Sequence, residues 1–390
     1  MFILIFFTVY AASCFVTCGK LFSGLFGFSY HSMMIAGAAF VLIYTILGGF
    51  LAESASDFMQ SVVMIIALVG VLICGVVHAG GFQAVIENAK AIPGYFSLTS
   101  VATPVLDSNS VQQSVNGIAQ FGEAGKYGFL TILSTLSWGL GYFGMPQVLL
   151  RFMAIRKRSE LKMSRRIATV WVVISLTAAV LIGVLGRFIL PTDLGLATQS
   201  GAENVFAHLA QLLFHPLLAG VVMAGILAAT ISSSDSYLLI AASAVSKNLF
   251  EGIIKKDASD KQVMRVSRAM ILIISIIGIA IAWNENSIIF EIVSFAWSGF
   301  GATFGPIMLF SLFWKRVNRP GAIAGMISGG VMVFVWKLLL KPLGGVFAIY
   351  ELLPAFVISC IVIVVVSLCT AKPSDEITAE FDKAKNFVEE

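Results

Sequence analysis

The sequence predicts an all-α fold, a polytopic membrane helix bundle of about ten spans. Three observations carry that reading. Of 390 residues, 58% are hydrophobic and only 12% charged, and the mean hydropathy is +0.94, whereas ordinary soluble domains carry roughly 25% charged residues. The apolar residues gather in runs of about 18 to 25, the length an α-helix needs to cross about 30 Å of hydrocarbon at 1.5 Å per residue. Short alternating strands, the mark of a membrane β-barrel, are missing from the pattern. Finally, the basic residues collect in alternate connections, as they do when successive helices cross a bilayer in opposite directions.

In order, the runs are 2–19, 32–52, 57–79, 127–150, 167–190, 215–246, 267–284, 288–314, 321–341 and 353–371. Arg151, Arg156, Lys157, Arg158, Lys162, Arg165 and Arg166 follow the fourth; Lys255, Lys256, Lys261, Arg265 and Arg268 follow the sixth; Lys315, Arg316 and Arg319 follow the eighth. The positive-inside rule then places these connections and both termini in the cytoplasm of a multi-pass membrane protein. The net charge of +4 reflects this topology and gives no reason to invoke nucleic acid.

The first run, MFILIFFTVYAASCFVTC, starts without a basic flank and has no small-x-small exit, so it reads as a helix entered partway along and not as a signal peptide. Cys14, Cys18, Cys74, Cys360 and Cys369 all lie in apolar runs without CxxC spacing and read as small packing residues. His31, His78, His208 and His215 stand near helix ends with no metal-ligand spacing. Residues 80–126 form the longest water-facing stretch, either gate or tether, with a short surface helix expected at 82–91. The charged segment 373–390 reads as a cytoplasmic tail that forms a short helix or frays, after a membrane domain at 1–372.

Two runs carry chemistry. In the fourth, YGFLTILSTLSWGLGYFGMPQVLL, Gly139, Gly141, Gly144 and Pro146 interrupt the helix. An unpaired backbone polar group in hydrocarbon costs several kcal/mol, so such a break persists where it lines a cavity or binds something. Trp138 and Tyr142, one helical turn apart, can present a ring and a hydroxyl beside it. In the sixth, GILAATISSSDSYLLIAASAVS, helical periodicity puts Gly225, Ala229, Ser232, Ser233 and Ser236 along one face. Such a stripe serves close helix packing, or it offers a hard monovalent cation its hydroxyls together with carbonyls freed where a helix bends or breaks. Asp235 weights the second reading, because an intramembrane carboxylate costs about 2.5–3.5 kcal/mol and a cation nearby would offset it. Asp57, in SASDFMQ, reads as a helix N-cap, as part of an ion path, or as both. Glu291 and Arg187 fall near the external interface, where they can snorkel or pair. The spacings Gly301/Gly305, Gly321/Gly325 and Gly325/Gly329 mark tight helix contacts, and Phe295, Trp297 and Phe300 read as packing aromatics. No His/Asp/Glu/Ser constellation has catalytic spacing, which argues against an enzyme.

WGLGYFGMPQVLLRFMA at 138–154, AGILAATISSSDSYLL at 224–239, GGFLAESASDFMQ at 48–60, SFAWSGFGATFGPIMLFSLFWKR at 294–316 and NRPGAIAGMISGG at 318–330 resemble the sodium/solute symporter family, most closely its sodium/proline branch. The resemblance implies a leucine-transporter-like inverted-repeat bundle, normally of thirteen spans, of which those here match the fourth onward. It also implies sodium-coupled uptake of a small organic solute by alternating access, L-proline being the first choice of solute. Another amino acid or a carboxylate, or a transport-incompetent truncated product, are the alternatives. Carried over, the resemblance puts sodium coordination at Ala229 through its carbonyl and at Ser232 and Ser233 through their hydroxyls. It puts substrate-facing roles at Trp138, Tyr142, Pro146 and Tyr10, and an ion-linked carboxylate at Asp57. The branch's GYFGQPH stands here as GYFGMPQ, and Asp235 takes a position that is apolar in the proline transporters.

Overall fold

The computed structural model describes residues 1–108, 111–157 and 159–385, with the side chains of 48–53 and 194 outside the description. Arg158 of the first basic connection, part of the polar run near 109–110 and the end of the 373–390 tail therefore lie outside the described residues. Two helices open the chain, α1 (Phe2–Phe26) and α2 (Tyr30–His78). After α3 (Phe82–Ala91) come two small hairpins, β1 (Ser100–Val101) with β4 (Gly125–Lys126) and β2 (Ser114–Val115) with β3 (Ile118–Ala119). There follow α4 (Phe129–Leu136), a 3-10 segment Ser137–Gly144, α5 (Pro146–Met153), α6 (Glu160–Ile189), α7 (Gln199–Ala202), α8 (Val205–Leu213) and α9 (Pro216–Ser243). A π-helical segment Ala244–Ile254 extends α9, and α10 (Asp260–Ile281), α11 (Ile289–Phe313), α12 (Arg319–Val335), α13 (Leu352–Cys369) and α14 (Asp375–Lys385) complete the chain.

Among the described residues, 9 helical stretches are long and apolar enough to cross a membrane, and the interrupted α4–α5 segment stands at the position of the fourth run. The chain is thus a multi-pass membrane protein. The expected surface helix at 82–91 and the tail helix are both present as α3 and α14. The two-residue ladders between them were not foreseen; the inner one, β2 with β3, is closed by a turn in which Asn116 and Gly117 take φ of 52° and 78°.

The second and third runs form one continuous helix of 49 residues, which would reach about 74 Å if straight. It does not run straight. The Tyr44 hydroxyl donates to the Ser56 hydroxyl, 12 positions on, and a straight helix would hold those residues about 18 Å apart. The helix therefore bends sharply between them and supplies two spans, Tyr30–Leu47 and Ser54–His78. Because the backbone stays helical through the bend, the N-cap reading of Asp57 is corrected: residue 57 lies inside α2, whose actual cap is Ser29.

The chain divides into two units, each discontinuous in sequence. One comprises Met1–Phe6, Phe129–Ala154 and Val293–Glu390; the other comprises Phe7–Gly128 and Ile155–Ile292. In the larger unit, Ala67, Val71, Ile182, Leu185, Leu209, Val222 and Met223 from α2, α6, α8 and α9 form the core. Gly225 lets α9 press on α2, since a Cβ there would stand 2.6 Å from that of Ala67. In the smaller unit, Phe6 packs among Phe295, Phe300 and Phe334. The α12 and α13 helices meet along Gly321, Gly325 and Gly329, where Ser359 Oγ donates to the Gly325 carbonyl at 2.8 Å. The GxxxG spacings thus mark tight contacts, as the sequence suggests.

Candidate functional site

The interrupted span belongs to the smaller unit. Pro146 has no N–H to donate and holds Met145 extended (φ −75°, ψ 110°), so α5 begins at the proline and the preceding residues wind as a 3-10 helix. The break is held by its neighbour α11. Trp297 Nε1 donates to the Trp138 carbonyl at 3.0 Å, satisfying a backbone acceptor. A Cβ on Gly144 would fall 2.4 Å from the Phe300 carbonyl oxygen and 2.7 Å from the Gly305 nitrogen, and one on Gly301 would fall 2.8 Å from the Gly141 Cα. Backbone therefore lies on backbone here. Gly141 and Gly144 of the break and Gly301 and Gly305 of α11 are two sides of one contact, which the sequence does not reveal because 160 positions separate Gly141 from Gly301.

Trp138 stacks on Trp297 (5.2 Å, 14°) and on Tyr350 (5.8 Å, 17°), and Tyr142 meets Trp297 edge-on at 4.8 Å. The Trp138 ring is thus engaged inside the unit, and Tyr142, 50% exposed, keeps free surface. Phe295 and Phe300 pack, as expected, but Trp297 does more by tying the break. Gln147, beside Pro146, was not singled out from the sequence. Its Oε1 is buried and accepts no hydrogen bond from the described residues; a buried acceptor left so costs about 1–3 kcal/mol, and a donor on a solute would relieve it.

The oxygen stripe belongs to the larger unit. Here α9 runs unbroken, so its carbonyls are not freed by a kink as the sequence reading expects. Oxygen is concentrated by side chains instead. Ser232 Oγ donates to the Ala229 carbonyl at 3.1 Å, and Ser236 Oγ donates to the Ser232 carbonyl at 3.2 Å. Oxygens ligating one cation at about 2.3–2.6 Å in octahedral geometry stand about 3.3–3.7 Å apart, so the Ala229 and Ser232 pair is close to ligand spacing. Ser233 adds a hydroxyl from the same turn. Asp235, 1% exposed, accepts from the Ser236 N–H at 2.8 Å, one turn from Ser232, and lies near Cys14 of α1. Tyr10 of α1 stacks on Tyr237 at 4.2 Å, which fixes it beside this stretch of α9. Asp57 adjoins the α2 bend. Among the described residues no three His, Cys, Asp or Glu cluster; neutral oxygens with one carboxylate suit a hard monovalent ion better than a transition metal.

Outside the spans, Asp193 pairs with His208 (2.6 Å) and accepts from the Gly195 N–H (2.8 Å). The His208 hydrogen bond holds its carboxyl below the usual carboxylate range. Lys20, at the end of α1, donates to Glu203 (2.9 Å), Ser200 Oγ (2.8 Å) and the Ser287 carbonyl (2.8 Å), while Glu203 accepts from Ile289 N–H at 3.0 Å. This part-buried pair ties α1 to the start of α11, and no spacing in the sequence points to it.

The profile of the Sodium:solute symporter family matches residues 1–329. The chain belongs to that family. As a symporter it is a sodium-coupled carrier of a small solute, with sodium the coupling ion, and not an enzyme. Among curated relatives, Sodium/proline symporter 2 of Staphylococcus saprophyticus is 38% identical over 395 aligned residues, covering 100% of this chain and 72% of the relative. The Sodium/proline symporter of Staphylococcus aureus is 36% identical over 394, with the same coverage. A solved structure described as the substrate-bound outward-open state of a Na+-coupled sialic acid symporter superposes with a TM-score of 0.69 at 16% identity, covering 96% of this chain and 75% of that one. That likeness supports the symporter's leucine-transporter-like fold.

Proposed function

We propose that the symporter carries L-proline into the cell across the plasma membrane, with both termini cytoplasmic, a membrane domain at 1–372 and a tail at 373–390. The observation that carries the choice of solute is the 36–38% identity, along the entire chain, to symporters named for sodium and proline. The Ala229 carbonyl and the Ser232 and Ser233 hydroxyls supply part of the sodium shell. Asp235 offsets the ion's charge within one turn, and Asp57 serves the ion path. Trp138, Tyr142, Pro146 and Tyr10 face the solute: the first three sit on or beside the interrupted helix, and Tyr10 is braced by Tyr237.

Each sodium ion moving inward across 100 mV releases about 2.3 kcal/mol before any concentration gradient is counted. That energy drives uptake when ion and solute together favour a state that neither favours alone, a coupling typically of about 1–3 kcal/mol. Serine hydroxyls suit this role. They give a neutral, adjustable shell, and Ser232 already shares its proton with the Ala229 carbonyl. Radiolabelled proline uptake into proteoliposomes under an inward sodium gradient should far exceed uptake under an equal potassium gradient; equal rates would end the sodium-coupled proline reading. Unlabelled amino acids and organic acids, added as competitors, separate proline from a different small solute.

A further inference from the structure

A cavity of about 320 Å³ lies in the larger unit at the end of α6 remote from Arg165 and Arg166, lined by Tyr95, Gln112, Ser114, Arg187, Thr192 and Asp193 among others. Its notable group is Arg187. The side chain is part-buried, its Nη1 donates to Gln112 Oε1 at 2.7 Å, and its guanidinium carbon stands 4.6 Å from the centre of the Phe121 ring. The Gln112 amide is itself oriented, because its Nε2 donates to the Gln120 carbonyl at 3.0 Å. Among the described residues no carboxylate lies within ion-pair distance of Arg187. The acid in the same wall, Asp193, is committed to His208 and to the Gly195 N–H.

A guanidinium has five N–H donors in a planar fork that matches a carboxylate. Partly desolvated, it is costly without an anion. Here one donor meets a neutral amide and one face meets a ring, which orients the fork and leaves the rest of its donors unmatched by the described residues. The cavity's volume is within the range of small-molecule sites. We propose that this cavity is a second recognition site, on the side away from the basic connections, which takes the carboxylate of a small organic solute at Arg187, with Gln112 and Phe121 holding the guanidinium in place. The inference rests on the symport reading only for the identity of that solute.

The test places a reporter thiol in the wall, Thr192→Cys, in the full-length chain in sealed vesicles, and follows its labelling by a membrane-impermeant maleimide over the background of the parent chain. The probes are L-proline, acetate and proline methyl ester, which lacks the carboxylate. With a Kd on the order of 1 mM, 10 mM probe slows labelling about tenfold. The account expects proline to protect and the ester not to, expects Arg187→Gln to abolish protection and Arg187→Lys to weaken it, and expects Ser232→Ala to leave it intact. Protection by acetate without proline supports the carboxylate site and refutes proline as the solute. Labelling indifferent to both carboxylates, or protection that survives in Arg187→Gln, overturns the proposal. Loss of sodium-driven uptake in Ser232→Ala with protection retained separates failure of one reading from failure of the other.

Discussion

Gly139 and Gly144 stand five positions apart in the same 3-10 segment, and a methyl group added to each should behave oppositely. At Gly139 the new Cβ meets nothing within 4 Å, whereas at Gly144 it would lie 2.4 Å from the Phe300 carbonyl oxygen and 2.7 Å from the Gly305 nitrogen. Both obstacles are backbone, which cannot rotate away as a side chain can. Neither glycine has a positive φ, so conformational strain is equal in the two variants. Restoring ordinary contact at Gly144 requires a shift approaching 1 Å between the broken span and α11. Forced overpacking of this kind costs about 1–3 kcal/mol, or roughly 5- to 150-fold in an equilibrium constant, and a displacement near 1 Å at a binding site can cost about a hundredfold in activity. Initial uptake rates and the thermal stability of detergent-purified protein should both fall for Gly144→Ala and stay near wild type for Gly139→Ala. Equal damage from the two changes, or none from Gly144→Ala, would refute the claim that the break is seated on α11 backbone.

Three further outcomes follow from the geometry. Trp297→Phe keeps an aromatic ring against Trp138 but removes the donor to the Trp138 carbonyl; stranding that acceptor should lower thermal stability by about 1–3 kcal/mol and slow uptake, and an unchanged melting curve would contradict the role given to the indole N–H. Lys20→Met removes the cation beside the Glu203 carboxylate, the two side chains being 8% and 19% exposed, and leaves Glu203, among the described residues, with backbone N–H donors only. Losing a part-buried charged hydrogen bond of this kind costs about 1.5–3 kcal/mol, and the double variant Lys20→Met/Glu203→Gln should recover part of the loss in the same melting assay; no recovery would contradict the pair. Because Asp193 has its carboxyl pKa lowered by His208, its contribution to stability is present above the ordinary carboxylate pKa of about 3.9 and fades as pH falls through its lowered folded value. The melting difference between wild type and Asp193→Asn should therefore be visible at pH 6 and vanish in strong acid, and a difference that grows on acidification would reverse the sign of the argument.

Apolar length made the spans legible, and glycines followed by proline made the interruption legible, because both are local properties of the chain. What escaped was whatever depends on a distant partner. The Trp297 donor and the Gly301 and Gly305 seat lie far along the sequence from the span they hold. Lys20 finds Glu203 183 positions on, and Arg187 finds Gln112 75 positions back. The α2 bend kept helical hydrogen bonding, so a polar SASDFMQ stretch that looked like a new helix start was a turn inside a continuous helix. The stretch after Ser243 continued a helical pattern in sequence while its hydrogen bonding changed to the π type, a bond span one residue longer that composition does not encode. On α9, the sequence pattern ties the availability of carbonyl oxygens to a bend or break; the helix runs unbroken, and the Ser232 and Ser236 hydroxyls crowd the carbonyls of the preceding turn instead.

The central claim is that the α9 oxygens hold the coupling ion, and its most direct test is a sodium titration of uptake for wild type, Ser232→Ala and Ser233→Ala at fixed solute, paired with a solute titration at saturating sodium. Loss of one hydroxyl, worth about 1–1.5 kcal/mol, should raise the sodium concentration for half-maximal uptake roughly 5- to 13-fold while the solute requirement moves much less. An unchanged sodium requirement in both variants, with uptake intact, would contradict the assignment.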